Sequence, residues 1–190
     1  MVMFIQYSSS PAGGYDELIY TMPFTKPTLR SWELFYPRRI PTIYVSGEST
    51  LRNGRVNWGI RKELADFEWK NNEGFLFTTT TFSARDRLLG KLITSASFAT
   101  LNLPFLLPLS WLGKLSPAIV ERKIDVEGKD LDAGWVKVVL GGFGWARLSV
   151  VTRYQLSDEH TLAPSLSNLG AFLGVSFTGY FIFPKAIAIT

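Results

Sequence analysis

One lysine and a few carboxylates stand out in this chain because most of their surroundings are apolar. Lys62 lies in the segment Tyr44–Leu64, which also holds Glu48 and Arg55, and Glu17 ends the earlier run SPAGGYDE. Burial among apolar side chains disfavours an ammonium group and leaves a nucleophilic amine, which can attack a carbonyl carbon and form an imine. The first hypothesis is therefore an enzyme that uses imine chemistry.

The composition excludes several other classes of protein. With 190 residues, 46% of them hydrophobic, the chain is long enough for one domain over residues 1–190 with its own core. The net charge of +4 comes from scattered basic residues, so we expect no nucleic acid partner. There is no cysteine and only one histidine, His160, in a polar run that we interpret as a solvated loop. We therefore expect no metal and no cofactor.

An uncharged stretch over residues 163–184 raises the question of a membrane span. Its polar residues, its glycines and its β-rich run VSFTGYFIF favour a short helix or turn followed by a buried strand. The N-terminal run MVMFIQY lacks the basic start and long apolar core of a signal peptide. We therefore expect a cytoplasmic protein without a membrane partner.

Short strand-like segments separated by glycine-rich turns indicate a mainly β (α+β) fold with few short helices, arranged as an antiparallel sandwich or barrel. Two segments are predicted to be helical: Glu48–Asn53, with Gly54 as its cap, and a turn within Ser83–Leu92. The predicted strands are Val2–Tyr7, Asp16–Met22, Ile40–Ser46, Leu64–Trp69, Phe75–Phe82, Ile119–Val126, Trp135–Leu140 and Arg147–Leu156.

The spacing Tyr44-xxx-Glu48-xx-Leu51-xx-Gly54-Arg55, with Lys62 and Leu64 following, resembles the acetoacetate decarboxylase family. The upstream Gly14-Tyr15-Asp16-Glu17 resembles the glycine-tyrosine-x-glutamate segment of that family. The phrases SPAGGYDELIY and NGRVNWGIRKELADF are closer to the fungal and plant-type members than to the bacterial decarboxylases. The strong part of the resemblance covers about the first third of the chain.

The resemblance implies an antiparallel, cone-like β-barrel around an apolar pocket, assembled into homo-oligomers. It places Lys62 on the lysine that forms a Schiff base with a ketone, and Glu17 on an acid near the reacting carbon. Glu48 and Arg55 then brace the lysine-bearing segment, although a purely structural ion pair fits them equally well. Tyr15 is a supporting residue beside Glu17. Metal and nucleotide cofactors are not implied.

Three departures from the family pattern affect the expected chemistry. Glu63 follows Lys62, where the family has a second lysine, and a nearby carboxylate stabilises the ammonium form of an amine. A second family acid falls at about Val2 in this chain. The chain also begins almost on the first strand of the motif, so either fewer strands build the pocket, a neighbouring subunit completes it, or the chain is truncated.

Three functions remain open on these residues. The first is a lyase that acts on a β-keto acid or related ketone through a Lys62 Schiff base. The second is a non-covalent cyclase, isomerase or pericyclase of specialised metabolism that orients a small apolar substrate. The third is an apolar-ligand binding protein without catalysis. In each case Trp58 and Phe67 are the candidate substrate-binding aromatics, although aromatic residues are core by default. The sequence alone is compatible with Lys62 on the surface and with Lys62 in the pocket.

Overall fold

The computed structural model describes residues 2–23, 38–108, 119–124, 129–138, 141–156, 172–182 and 187–189. Strands predominate in these residues, and the prediction of a mainly β fold with little helix is confirmed. The elements are β1 (Val2–Tyr7), β2 (Tyr15–Tyr20), β3 (Met22–Pro23), β4 (Arg38–Arg39), β5 (Ile43–Val45), α1 (Glu48–Trp58), β6 (Lys62–Glu73), β7 (Phe77–Asp86), β8 (Leu92–Leu101), β9 (Phe105–Pro108), β10 (Ile119–Ile124), β11 (Asp130–Val138), β12 (Gly141–Leu156), β13 (Phe172–Ile182) and β14 (Ile187–Ile189).

Two compact units make up the chain, and the candidate residues Glu17 and Lys62 both belong to the first. That unit comprises Met1–Leu64, Pro108–Gly142 and Phe181–Thr190. Strands β1, β2, β5 and the start of β6 are neighbours in one sheet, in that order. The β1–β2 and β2–β5 pairs are antiparallel, whereas β5 and β6 are parallel and are connected by α1. A parallel pair needs such a crossover, so the single helix of the described residues follows from this pairing.

The apolar core of the first unit is a cluster of buried aliphatic side chains: Ile19, Ile40, Ile43, Val45 and Ile60. Leu51 and Trp58 of α1 pack against this cluster, as do Met3 and Ile5 of β1. Burial of such side chains contributes about 1.5–3 kcal/mol each before the entropy cost of ordering them. A second sheet of the unit has the strand order β14-β11-β10-β4-β3.

The second unit comprises Ala65–Leu107 and Phe143–Tyr180. Its sheet has the order β6-β7-β8-β12-β13, with β9 paired to β12. Its β6–β7, β7–β8 and β8–β12 pairs are antiparallel, and Phe82, Ala84 and Ile93 are fully buried in it. The predicted single domain over residues 1–190 stays a prediction.

The structure corrects the predicted end of the helix. The helix continues past Gly54 for more than a full turn and ends at Gly59, whose φ of 62° is the left-handed conformation that glycine adopts readily. The backbone N–H of Gly59 donates to Arg55 O at 3.1 Å, and the N–H of Ile60 donates to Gly54 O at 3.3 Å. Glycine at position 54 serves a packing role instead, which is described below.

The helical turn predicted within Ser83–Leu92 is wrong. Residues up to Asp86 extend β7, where Ser83 pairs with Ser95 across β8. The chain then reverses in a tight turn in which Asp86 Oδ1 accepts hydrogen bonds from the N–H groups of Leu88 and Leu89. Sheet pairing, which is set by residues distant in sequence, overrides the local serine cap signal.

The β-rich run near the C-terminus forms β13, as predicted, but the prediction that this strand is buried is wrong. Leu173 and Tyr180 are 82% and 73% exposed, because β13 is the last strand in the order of its sheet. In the part of the chain that the structure describes, no helix has the length and apolar character needed to cross a bilayer. The predicted loop residue His160 lies outside the described residues.

Candidate active site

The turn between β1 and β2 positions the first half of the site. Gly13 adopts a φ of 90°, and its N–H donates to Ser10 O at 2.9 Å, which closes the turn. The register of the hairpin then places Tyr7 directly opposite Tyr15. Since side chains alternate along a strand, Glu17 projects from the same face as Tyr15. Two tyrosines and one carboxylate therefore meet on one face of the hairpin.

The parallel pairing of β5 with β6 positions the lysine. Ile43 of β5 lies opposite Lys62 of β6, and Val45 of β5 lies opposite Glu17 of β2. Lys62 and Glu17 thus lie on the same face of the sheet with β5 between them, and they are offset by the two-residue step from Ile43 to Val45. The long side chain of lysine can bridge that distance. Arg61 and Glu63 flank Lys62 but are exposed, as strand alternation requires.

Lys62 and Glu17 form a buried ion pair. Lys62 Nζ donates a hydrogen bond to Glu17 Oε1 at 2.7 Å, and the two side chains are only 7% and 3% exposed. Removing two charges from water costs several kcal/mol for each ion, a cost that their mutual attraction offsets only with good geometry. Keeping a lysine and a carboxylate in this position therefore lowers the stability of the fold. Buried charged groups of this kind are typical of functional sites.

Gly54 provides the space that the lysine side chain occupies. A Cβ atom at position 54 would lie 2.3 Å from Lys62 Cε and 2.6 Å from Lys62 Cδ, far inside van der Waals contact. The aliphatic stem of Lys62 therefore lies directly against the backbone of α1. The next residue, Arg55, donates a hydrogen bond from its Nη2 to the backbone oxygen of Lys62 at 2.8 Å. Helix and lysine are thus fixed to each other at two adjacent positions.

Two tyrosines complete the surroundings of the ion pair. The Tyr7 hydroxyl donates to Glu17 Oε2 at 3.3 Å, so both oxygens of the carboxylate are engaged. The rings of Tyr7 and Tyr15 stack with their centroids 4.5 Å apart, and Lys62 Nζ lies 5.9 Å from the Tyr15 ring centroid. Burial, and then the charge of Glu17, raise the pKa of Tyr7 and of Tyr15 well above the ordinary range. Both phenols therefore stay protonated at neutral pH.

No family model matches this chain. No curated protein matches it either. Solved structures do match: acetoacetate decarboxylase from Legionella pneumophila subsp. pneumophila aligns with a TM-score of 0.67 at 15% identity, over 100% of this chain and 72% of that chain. This chain has the acetoacetate decarboxylase fold. The predicted fold of acetoacetate decarboxylase type is thereby confirmed.

Two further structures share the acetoacetate decarboxylase fold with this chain. The enduracididine biosynthesis enzyme MppR, complexed with pyruvate, aligns with a TM-score of 0.62 at 10% identity, over 93% of this chain and 66% of that chain. Another acetoacetate decarboxylase aligns with a TM-score of 0.59 at 12% identity, over 97% of this chain and 75% of that chain. This chain therefore spans about two thirds to three quarters of the length of these neighbours.

Within this fold, the remaining predicted site residues have different surroundings. Glu48 is exposed in the first turn of α1, where its negative charge interacts favourably with the positive end of the helix dipole. Glu63 is exposed, so the carboxylate that contacts the lysine is Glu17. Trp58 packs against the apolar core of the first unit. Phe67 belongs to the second unit, where its ring centroid lies 5.8 Å from that of Phe82. Substrate binding by Trp58 and Phe67 stays a prediction.

Sequence reasoning missed Tyr7 as a site residue. The signal was present, because two predicted strands flank the turn SSSPAGG, and pairing them antiparallel brings residue 7 opposite residue 15. Nothing in the sequence showed which face of that hairpin is covered by a helix. Among the residues that the structure describes, no group of three or more His, Cys, Asp or Glu side chains is arranged to hold a metal ion.

Proposed function

We propose that this protein is an enzyme that forms a Schiff base between Lys62 and the ketone carbon of a small keto acid or related ketone. The observation that carries the proposal is the buried pair of Lys62 Nζ and Glu17 Oε1, 2.7 Å apart. A buried amine with a carboxylate in hydrogen-bond contact has a nucleophile and a base side by side. This is the arrangement that imine formation needs.

The first step is a proton transfer within the pair. Lys62 passes one proton from Nζ to Glu17 Oε1, giving a neutral amine and a carboxylic acid. The amine lone pair then attacks the ketone carbon, and one proton moves from Nζ to the former carbonyl oxygen, which gives a neutral carbinolamine. Glu17 then returns its proton to that oxygen, which leaves as water, so that a protonated imine on Lys62 and the Glu17 carboxylate remain. The short contact between the two groups lets the proton move without rearrangement of either side chain.

The protonated imine then acts as an electron sink. In a β-keto acid, the electrons of the carbon–carboxylate bond move toward the imine nitrogen as carbon dioxide leaves, and an enamine remains. A proton returned to the enamine carbon by a nearby acid regenerates the imine, and water releases the ketone. This proton comes from solvent, because the one that Glu17 took in the first step left with the water, and we assign its delivery to Glu17, the carboxyl group in contact with the nitrogen.

The structural neighbours support a keto substrate. Two of them are acetoacetate decarboxylases, and MppR was found with pyruvate and with the condensation product of pyruvate and imidazole 4-carboxaldehyde. We therefore propose decarboxylation of a β-keto acid first, and condensation of a keto acid with an aldehyde second, since both proceed through a lysine enamine. From the resemblance to the acetoacetate decarboxylase family we further propose a homo-oligomer with a small apolar substrate, and we also propose a cytoplasmic location.

One observation favours a different function on the same fold. As long as the proton stays on Lys62 Nζ, the nitrogen has no free lone pair and is not a nucleophile. A lysine that stays paired with Glu17 would orient the substrate instead of forming a covalent bond with it. A non-covalent cyclase or isomerase then remains, with the tyrosine hydroxyls and Glu17 as the polar groups that orient the substrate. Binding without turnover would reduce this second candidate to an apolar-ligand carrier.

Turnover by matched lysine variants tests the proposal. Lys62→Met removes the amine but retains an apolar stem of similar length, and Lys70→Met does the same at a lysine whose side chain is 72% exposed. With acetoacetate or with pyruvate plus an aldehyde, we expect Lys62→Met to abolish carbon dioxide release or condensation and Lys70→Met to retain it. Full turnover by Lys62→Met would refute the Schiff base and favour the non-covalent candidate.

A further inference from the structure

The Glu17 carboxylate is held at both of its oxygens by different side chains. Oε1 accepts the hydrogen bond from Lys62 Nζ at 2.7 Å, and Oε2 accepts the hydrogen bond from the Tyr7 hydroxyl at 3.3 Å. A carboxylate that contacts only one donor can rotate about its terminal bond, because that torsion is broad. The second donor limits this rotation, and it also determines which oxygen faces the lysine.

The stack of Tyr7 on Tyr15 fixes the direction of the Tyr7 hydroxyl. The two residues are directly opposite in the β1–β2 hairpin, and their rings lie at an interplanar angle of 25°. Phe181 adds an edge contact to Tyr7, with the ring centroids 6.1 Å apart. A ring enclosed in this way has little rotational freedom, so its hydroxyl is aimed at Glu17 before any substrate binds.

A donor of this kind is useful because the lysine contact is lost during the reaction. When Nζ becomes part of an imine, Lys62 retains at most one N–H to share with Glu17. Tyr7 is not altered by that chemistry, and burial keeps its hydroxyl protonated, so its hydrogen bond to Oε2 persists. Glu17 then stays beside the reacting atoms through every proton transfer.

We propose that Tyr7 is a positioning residue that holds Glu17 in the orientation needed to take the proton from Lys62 and return it to the substrate. The inference rests on the proposed Schiff base function. Tyr7 acts through Glu17 and does not itself contact the reacting carbon. One neutral hydrogen bond to a charged group is at stake, so its loss changes a rate by about 3- to 30-fold and does not abolish it.

The test is a double-mutant cycle read by the rate at which borohydride traps an adduct on Lys62 with pyruvate. Tyr7→Phe keeps the ring stack and removes only the hydroxyl, and Glu17→Gln removes the base. We expect Tyr7→Phe to slow trapping about 3- to 30-fold at saturating pyruvate with little change in the concentration that gives half the maximal rate. In the Glu17→Gln background, the same substitution should have no further effect, because its target is gone.

The outcomes separate the inference from the function on which it rests. If the wild-type protein traps pyruvate on Lys62 and Tyr7→Phe traps it equally fast, the inference fails while the proposed function stands. Effects that simply multiply in the double variant would also overturn it, because Tyr7 would then act independently of Glu17. If the wild-type protein traps no adduct, both fail together.

Two further variants keep the test decisive. Tyr180→Phe serves as the control, since Tyr180 is 73% exposed on β13 and its loss of a hydroxyl should leave the trapping rate unchanged. If Tyr7→Phe does not fold, 3-fluorotyrosine at position 7 preserves the shape and strengthens the hydroxyl as a donor. A change of about 2-fold or more in the trapping rate then supports the inference, and an unchanged rate overturns it.

Discussion

The backbone of Gly54 and the side chain of Lys62 are so close that a methyl group added at position 54 would push the lysine away. A Cβ atom at position 54 would lie 2.3 Å from Lys62 Cε, and the terminal atoms of that lysine are held by Glu17 on the far side. A flexible side chain usually moves aside at little cost, but this one is buried and paired. The helix backbone thus lies directly against the lysine side chain.

Gly54→Ala should therefore displace the lysine. Alanine gains about 1 kcal/mol of helix propensity over glycine, but the clash with the Lys62 stem costs about 1–3 kcal/mol and moves Nζ away from Glu17. We expect little or no gain in stability to urea, and a loss of about tenfold or more in the trapping of pyruvate on Lys62. Val56→Ala, at a position of α1 that is 61% exposed, is the control and should trap normally. Normal trapping by Gly54→Ala would show that the glycine has no role in positioning.

Breaking the buried ion pair should be far more costly than breaking a surface one. Replacing Lys62 or Glu17 by Met leaves a charge buried alone, which costs about 3–5 kcal/mol. In the double variant no charge remains unpaired, so it should be more stable than the two single losses added together predict. Urea unfolding of the four proteins measures this coupling.

The same cycle on Lys70 and Glu68 provides the control for the ion pair. Their side chains are 72% and 61% exposed, so the coupling between them should be about 0–1 kcal/mol. A coupling between Lys62 and Glu17 as small as this would mean that the pair is solvated and does not have the environment that the structure assigns to it.

The two stacked tyrosines should make the folded protein lose stability at alkaline pH. In the folded state the pKa values of Tyr7 and Tyr15 lie above the ordinary 10.0, mainly because of burial. Above pH 10.0 the unfolded chain releases these protons while the folded chain retains them, so the free energy of unfolding falls as the pH rises.

The expected slope is about 1.4 kcal/mol per pH unit for each tyrosine that stays protonated when folded, and both Tyr7 and Tyr15 contribute it above pH 10.0. Tyr7→Phe should remove about half of this pH dependence, because burial still raises the pKa of Tyr15. Urea unfolding at a series of alkaline pH values, with tyrosinate absorbance followed in parallel, measures it. Ionisation of all tyrosines before unfolding begins would contradict the prediction.

Arg55 should contribute to the position of the Lys62 backbone more than to the charge of the site. Its Nη2 bonds to the backbone oxygen of Lys62 at 2.8 Å, so Arg55→Met removes a charged donor from a partly buried carbonyl group. We expect a loss of about 1–3 kcal/mol in urea unfolding. Arg52→Met, at an exposed position of the same helix, should cost less than about 0.5 kcal/mol. Equal losses would show that the hydrogen bond is dispensable.

The parts of the fold that were predictable from sequence are those with local signals. Strand β1 was predicted at Val2–Tyr7, where the structure has it, and the start of α1 was predicted at Glu48. Gly54 misled the prediction because glycine serves both as a helix end and as a point of close approach, and only the position of Lys62 distinguishes the two. The last helical residue is Trp58, and the residue that caps the helix is Gly59.

The site itself depends on contacts between distant residues. Lys62 and Glu17 are 45 positions apart, and their meeting requires the antiparallel β2–β5 and parallel β5–β6 registers, which no local pattern specifies. The resemblance to acetoacetate decarboxylases supplied both residues as candidates, yet it could not show that they touch. The exposure of Glu63, by contrast, follows directly from strand alternation once Lys62 is known to point inward.

Borohydride trapping with pyruvate or a simple β-keto acid, followed by intact mass and peptide mapping, tests the central claim most directly. The account predicts one reduced adduct, located on Lys62, that is absent from Lys62→Met and present in Lys70→Met. An adduct distributed over exposed lysines, or no adduct in a protein that still binds apolar ligands, would contradict the claim. The ion pair of Lys62 and Glu17 would then have to be explained without covalent catalysis.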